Sequence, residues 1–417
     1  MTSNPADAVE TMRQKLDGGE YDDVDEADAE ILLQMSDRIR ILGPSEYSAH
    51  RHEFLLRRNL VLARNVGGLA DVTDDRDTVE ELVGWINANK NNSEETNKDY
   101  RVALRAFGKI VTDGDDYPES VDWIPGGYPS NYDPAPDPTD MLRWEEDVLP
   151  MVDAAANLRD QALVTLAFDL GPRPGELFDL TIGSITDHKY GLQVTVQGKR
   201  GQRSPVLIPS VPYVNRWLQI HPRRDDHDAP LFGQLSSGDR ISNNRIRDIL
   251  KELARKADVQ RPVTPTNFRK SSASHLASKG VSQAHIEDHH GWTRGSKVAS
   301  RYVAVFGDAN DREIAKAHGV NVDEDEPDPI GPVTCPRCDE QTPRDRDFCI
   351  HCNQALDRET MELVKELTDR LDDRLVASDD ADEREDLVRA RRTVEEKPAV
   401  MDADELHELA SSLGSDD

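Results

Sequence analysis

A single tyrosine closes the stretch HHGWTRGSKVASRY, residues 289–302. Trp292, Arg294, Lys297 and Arg301 precede Tyr302 within it. A phenol among cations suits attack on a phosphate: the cations hold the anion and the phenolate oxygen is the nucleophile. A packed core tyrosine is the plainer alternative. Three further cationic stretches lie upstream. In DLGPRPGELFDL (169–180) a Gly-Pro turn presents Arg173 at the start of an element, with Glu176 three residues on. Such an arginine can grip two phosphate oxygens at once, or simply pair with Glu176. In VQGKRGQRSPVLIP, Lys199 sits in a hairpin turn with Arg200 and Arg203. A lysine there can reach into a groove and protonate a leaving oxygen, or be a solvated charge. In TPTNFRKSSASHLASKG, Thr264-Pro265 signals a helix start and puts Arg269 and Lys270 in its first two turns. Backbone N–H groups and the helix dipole favour an anion there.

A second constellation is CPRCDEQTPRDRDFCIHC. Cys335, Cys338, Cys349 and Cys352 follow the spacing C-x2-C-x10-C-x2-C. Each C-x-x-C can present two thiolates to one metal, and two such knuckles complete a closed four-sulfur site for structural zinc. Two disulfides or an iron–sulfur cluster are the alternatives. His351 reads as a bystander. The segment resembles short zinc ribbons, with Asp339 where glycine is usual. Its acidic surroundings favour a protein contact over direct DNA binding.

Taken together, the cationic boxes resemble the tyrosine recombinases of the phage-integrase and Xer type. The first box, T-G-x-R-x-x-E-L, is matched by LGPRPGEL; the hairpin G-K-G-x-K-x-R by GKRGQRS. The second box, H-x-L-R-H followed by A-T-H-L and glycine, is matched by TNFRK and ASHLASKG; the third, L-G-H/W then tyrosine, by HHGW and RY. The resemblance covers residues 30–310 and implies a site-specific recombinase or integrase acting on duplex DNA. Tyr302 would form a 3′-phosphotyrosine, Arg173 and Arg269 would hold the phosphate, Lys199 would protonate the leaving 5′-oxygen, and Trp292 would contact the phosphate. Arg200, Arg203, Arg294 and Lys297 are expected to face DNA. The chemistry requires no cofactor, and a homo-oligomer, a tetrameric synapse on DNA, is expected. Two positions depart from the pattern: Thr266 and Lys270 replace the two usual histidines of the second box. Lys270, or His289 or His290, would then have to deprotonate Tyr302. The step from Trp292 to Tyr302, at ten residues, is one longer than usual, so the helix of Tyr302 would start differently. A non-catalytic DNA-binding relative and a type IB topoisomerase-like enzyme are the competing readings.

Charge bears on the same question. The 417-residue chain has a formal net charge of −30, with 14 Lys against 37 Arg. Acidic, lysine-poor composition resembles proteins of salt-loving archaea, where it serves solubility. The charge is unevenly spread: residues 160–305 hold 21 Lys and Arg against 14 Asp and Glu, the rest 30 against 67. A basic island in an acidic chain is the footprint of a phosphate-binding surface. No run is long enough to span a membrane and the start carries no apolar signal, so a soluble, cytoplasmic protein is expected.

The elements that must position these residues follow from periodicity. Residues 1–28 are acidic and read as disordered. Residues 29–112 carry helical spacing for about four helices, a core-DNA-binding (SAM-like) bundle in the resemblance. Residues 113–139, with seven Pro or Gly in PGGYPSNYDPAPDP, read as a linker. Residues 140–320 form the catalytic domain, mixed α+β: helices near 212–220, 242–257, 266–279, 282–289 and 296–305, with GLQVTVQ and SPVLIP as two strands joined by GKRGQR. An acidic linker (321–333) leads to the ribbon (334–356). An acidic helical tail (357–417) follows, with Leu356, Met361, Val364, Leu367 and Leu371 on one face and a second helical candidate at DADELHELASSL. The fold class is multidomain and mainly α.

Overall fold

The structure, a computed structural model, describes residues 4–89, 92–112, 116–129, 132, 137–198, 201–305, 311, 314–320, 322, 329–378 and 380–396. The chain divides into two compact units, Met1–Pro134 and Ala135–Asp417.

The first unit is a helical bundle of α1 (Pro5–Asp17), α2 (Glu26–Leu42), α3 (Ala49–Asn65), α4 (Arg76–Ala88), α5 (Glu94–Val111) and the short α6 (Glu119–Asp122). Asn4, Asp25, Ser48, Asp75 and Ser93 cap the first five, each side-chain oxygen accepting a first-turn N–H. Leu32, Met35, Leu55, Leu56, Leu82, Ile86, Leu104 and Phe107 fill the centre. Two expectations are corrected here. Residues 1–28 are not without order: Val9, Met12 and Leu16 recur at i, i+3 and i+7, and α1 buries them against α2 and α3. Low overall apolar content hid that stripe. Nor is 113–139 wholly a linker. Val121 and Ile124 are buried in the same core, and Val121 seats against Gly108, where a Cβ would stand 3.0 Å from its Cγ2.

In the second unit α7 (Leu149–Asp153) leads to α8 (Leu158–Leu170). Ala162, Leu163, Val164, Leu166, Ala167, Phe168 and Leu170 are all buried, so α8 has no solvent face and serves as the central helix. After α9 (Pro174–Asp179) come β1 (Ile185–His188), β2 (Gly191–Val194), β3 (Val196–Gly198), β4 (Gly201–Arg203) and β5 (Val206–Leu207). Here too the structure differs from the expected pair of strands. The first splits at Thr195, whose N–H donates to the Ser184 carbonyl at 2.8 Å. β2 pairs antiparallel with both β1 and β5, whereas β3 leaves that sheet and pairs only with β4, with Val196 opposite Arg203. β1 is short and half polar, which concealed it. There follow α10 (Val211–Ile220), α11 (Asn243–Lys256), α12 (Pro265–Ser278), α13 (Gln283–His290) and α14 (Lys297–Val305).

The cysteine module pairs β6 (Val333–Thr334) with β7 (Gln341–Thr342) and is followed by a hairpin of α15 (Arg358–Ala377) and α16 (Ala381–Glu396). The face of α15 is shifted from the expected one. Leu363, Leu367 and Leu371 are buried against Leu387 and Val394, whereas Met361 is exposed. The candidate at DADELHELASSL lies outside the described residues. Among the described residues no helix is long and apolar enough to cross a membrane.

If α1 is part of the bundle core, Leu16→Ala should destabilise the first unit by about 2–4 kcal/mol. Amide hydrogen exchange of α3 in the full chain measures this, and unchanged protection would count against it.

Candidate functional site: three guanidiniums around one helix end

The site is built on two helix C-termini. α8 ends at Gly171, in the left-handed conformation (φ 52°), and α13 ends at Gly291, also left-handed (φ 62°). Gly171 is required on two counts: its backbone favours glycine, and a Cβ would stand 2.8 Å from both His290 Nε2 and Ser272 Cβ. Pro172 follows and Arg173 caps α9. Glu176, in that helix's first turn, accepts from the Arg173 backbone N–H at 2.9 Å and its guanidinium at 2.6 Å.

The last carbonyls of α13 then collect three cations. Arg203 Nε donates to the His289 carbonyl at 3.0 Å, Arg269 Nη2 to that of His290, and Arg173 Nη2 to that of Gly291 at 3.2 Å. These carbonyls lack intrahelical partners and form the negative end of the helix dipole. Arg269 also donates to the Gly171 carbonyl at 2.9 Å, tying the two helix ends together. Arg203 donates to Glu176 at 2.8 Å, so one carboxylate spans two arginines. Burial by itself would raise the Glu176 carboxyl, but the bonds from Arg203 and Arg173 outweigh it and hold it at about 2. Arg269 is buried, and that burial, with the neighbouring Arg173 charge, pulls its guanidinium down to about 9, still cationic at neutral pH.

Beside the arginines three rings stack. His290 and Trp292 lie 4.9 Å apart at 18°, Trp292 and Tyr302 5.5 Å apart at 6°. The Arg269 guanidinium carbon stands 5.1 Å from the Trp292 ring centre. Tyr302 is therefore carried by α14 to the arginines, packed on Trp292 among Ala273, Ala277 and Ile286. The long step from Trp292 is taken up in the turn before α14. Gly295 there has φ 70°, and buried Glu287 accepts from the N–H groups of Gly295 (3.2 Å) and Ser296 (2.9 Å).

Residues 144–308 match the phage integrase family. Over this stretch the chain is similar to the tyrosine recombinases. Over 122 residues it is 34% identical to tyrosine recombinase XerC of Alcanivorax borkumensis, a stretch covering 28% of this chain and 39% of that relative. It is 29% identical over 142 residues to tyrosine recombinase XerA of Pyrococcus horikoshii, covering 33% and 47%. The aligned stretch thus spans less than half the length of these two relatives. Among solved structures, lambda integrase residues 75–356 bound to DNA is similar at TM-score 0.49 and 16% identity, covering 66% of this chain and 96% of that one. XerH bound to difH substrate in a post-cleavage complex is similar at 0.47 and 16%, covering 76% and 95%.

The structure brings Arg173, Arg269, Trp292 and Tyr302 together. Lys199 and Arg200 lie outside the described residues. Arg203, expected to face DNA, is instead built into the wall, its donors engaged by Glu176 and the His289 carbonyl. Arg294 is exposed but paired with Asp288 and the Ala284 carbonyl; Lys297 is exposed at the start of α14. Thr266 and Lys270 are exposed on α12, and Lys270 stands about 100° round the helix from Arg269. Asp169, Ser272 and Glu287 have structural parts that no motif announced. Asp169 Oδ2 accepts from Ile208 N, Ser210 N and Ser210 Oγ, and its carbonyl accepts from His289 Nε2 at 3.0 Å.

Burial raises the Tyr302 phenol, against the opposing pull of Arg269 and Arg301. It also keeps the adjacent imidazoles neutral: His289 is pushed down to about 4, and His290 is pushed down as well. His290 Nδ1 donates to the Ile286 carbonyl (3.0 Å), leaving Nε2 to accept from Ser272 Oγ (3.2 Å).

The four cysteine sulfurs lie within 4.8 Å of one another and none forms a disulfide. Two Sγ pairs stand 3.6 and 3.7 Å apart. A tetrahedral zinc with four sulfur ligands needs about 3.8 Å, so the residues fit such an ion. Backbone N–H groups of Arg337 and His351 approach Cys335 and Cys349 Sγ at 3.4 Å. Asp339 and Asn353 take the left-handed positions of the two knuckles (φ 58° and 57°), which Asp and Asn tolerate. His351 Nε2 bonds the Gln341 carbonyl and is no ligand.

Two outcomes follow from this packing. Gly171→Ala should cost about 1–3 kcal/mol by strain and displacement of His290, read by chemical denaturation; a neutral effect would contradict the close approach. Because His289 is lowered, the unfolded chain binds its proton first as pH falls. The stability it contributes is full above about 6.5 and is lost toward pH 4. Calorimetry across that window should show falling Tm, with a shallower slope in His289→Gln.

Proposed function

We propose that this chain is a site-specific DNA recombinase that cuts and rejoins duplex DNA through Tyr302. The observation that carries the reading is the Tyr302 ring stacked on Trp292 beside Arg269, with Arg173 bound to the same helix end. Tyr302 Oη attacks the scissile phosphorus. The bond to the 5′-oxygen breaks, a 3′-phosphotyrosine forms, and Lys199 gives its proton to the departing 5′-oxygen. Arg173 and Arg269 neutralise the non-bridging oxygens in the pentacoordinate state. They are held in advance by backbone carbonyls and Glu176, so little reorganisation accompanies the reaction. The energy of the phosphodiester is kept in the tyrosyl ester, so the step draws on no nucleotide; rejoining is the reverse attack. The cysteine module holds structural zinc and takes no part in these steps. Protomers assemble on the DNA as a tetrameric synapse.

Tyr302 needs a base, since burial raises its phenol. His290 lies beyond the indole, and His289 spends its Nε2 proton on the Asp169 carbonyl. Lys270, exposed on α12, is the base open to an incoming strand. The acidic, lysine-poor composition supports a salt-rich working medium. There phosphate contacts lose strength steeply, and base-edge and protein–protein contacts carry more of the binding.

A nicked duplex whose 5′ fragment diffuses away traps the covalent intermediate. The expected result is a nucleotide adduct on Tyr302 by mass spectrometry, abolished in Tyr302→Phe; absence of any adduct leaves only a binding role. Lys270→Ala should slow single-turnover cleavage by about 10²–10⁴. An undiminished rate removes Lys270 as the base.

A further inference from the structure

The chemistry above leaves the cysteine module without a task, yet its contacts with the catalytic domain form a continuous seam. At one end Ile330 packs on the main core, and Gly331 lies against Ile208, 3.6 Å from its Cγ2 to a Cβ built on the glycine. In the middle β7 packs on α10. At the other end the loop between the knuckles, 343–347, carries Arg346. Its guanidinium is ion-paired with Asp153 of α7, and its Nε stands 3.2 Å from its neighbour Asp345. Tyr213 of α10 is buried beside this cluster. Its phenol is pushed up, first by burial and then by the Asp345 charge.

The loop that presents Arg346 is bounded by Cys338 and Cys349. The apolar content of the module is small: Phe348 and Ala355 are its buried hydrophobic residues besides the cysteines. A piece of this size cannot hold a shape by burial alone, and four thiolates clustered without a counter-charge repel one another. Both problems are solved by a divalent ion among the sulfurs.

We propose that the module is a metal-dependent brace: with zinc bound it docks on α7 and α10 through Arg346 and stabilises the catalytic domain. The partner surface is Asp153, Tyr213 and Ile208. Without the ion the knuckles open, Arg346 leaves Asp153, and the seam separates. This assigns the module to stability of the recombinase domain, with its inter-knuckle arginine turned to protein and not to DNA.

The test uses the full chain and zinc itself, and its readout does not depend on DNA cleavage. Zinc is counted by atomic absorption, then stripped with a thiol-reactive mercurial and chelator under reducing conditions. Removal should lower the Tm of the catalytic domain by about 2–4 °C and raise amide exchange across α10, and re-adding zinc should restore both. Asp153→Asn, which leaves the module's own residues untouched, should keep one zinc per chain yet reproduce part of the Tm loss and the α10 exchange. Loss of protection confined to the module, with α10 and Tm unchanged on stripping, would overturn the brace. So would an Asp153→Asn protein indistinguishable from the parent.

Discussion

Three guanidiniums on the last carbonyls of one short helix are the interaction on which the candidate site depends. Arg203, Arg269 and Arg173 come from a strand, a helix and a helix cap, far apart in the chain. The C-terminus of α13 satisfies them in the order His289, His290, Gly291. Mutual repulsion of three cations is offset by carbonyls that have no other partner and by the single carboxylate of Glu176. The arrangement leaves an electropositive centre fixed before any anion arrives. That is what electrostatic preorganisation requires.

The same helix end fixes the aromatic stack. His290, the last residue of α13, is buried, and Trp292 two residues later lies on it with Tyr302 beyond. Neutral imidazoles are the condition for this packing, since a charged ring there would face Arg269 and Arg203 without solvent. Glycine at 171 lets the end of α8 come close enough for its carbonyl to reach Arg269. Strength in the site therefore comes from backbone carbonyls, and side-chain acids are few. In an acidic chain this matters: surplus carboxylates in the site would neutralise the arginines.

Elsewhere the domain uses small parts to hold large ones. Glu287 fixes the turn that launches α14; Asp169 joins the end of α8 to the loop after β5. At the far side the cysteine module lies along α7 and α10 through the half-buried, ion-paired Arg346 and the packing of β7 on α10. Each device fastens one loop to a helix whose own position is already set by the core.

Much of this was legible in the sequence. Arg173, Arg269 and Trp292 could be picked out because they sit at helix starts and turns whose Gly, Pro and Thr signals are local, and Tyr302 because it follows Trp292 at a fixed step. The helices of the second unit were readable from their 3.6-residue spacing, and the four-cysteine cluster from its knuckles. Local signals fail where the deciding partner is distant. The stripe of α1 is only three residues deep and gains meaning from α2 and α3. The split of the expected strand at Thr195 follows from its bond to Ser184, and the move of Arg203 from surface to wall follows from Glu176 and the end of α13. The spacing of residue types determined which groups are available for phosphate chemistry. Only the tertiary structure decided which of them meet, because a guanidinium is placed by the carbonyl it finds, and those carbonyls belong to a helix some twenty to over a hundred residues away along the chain.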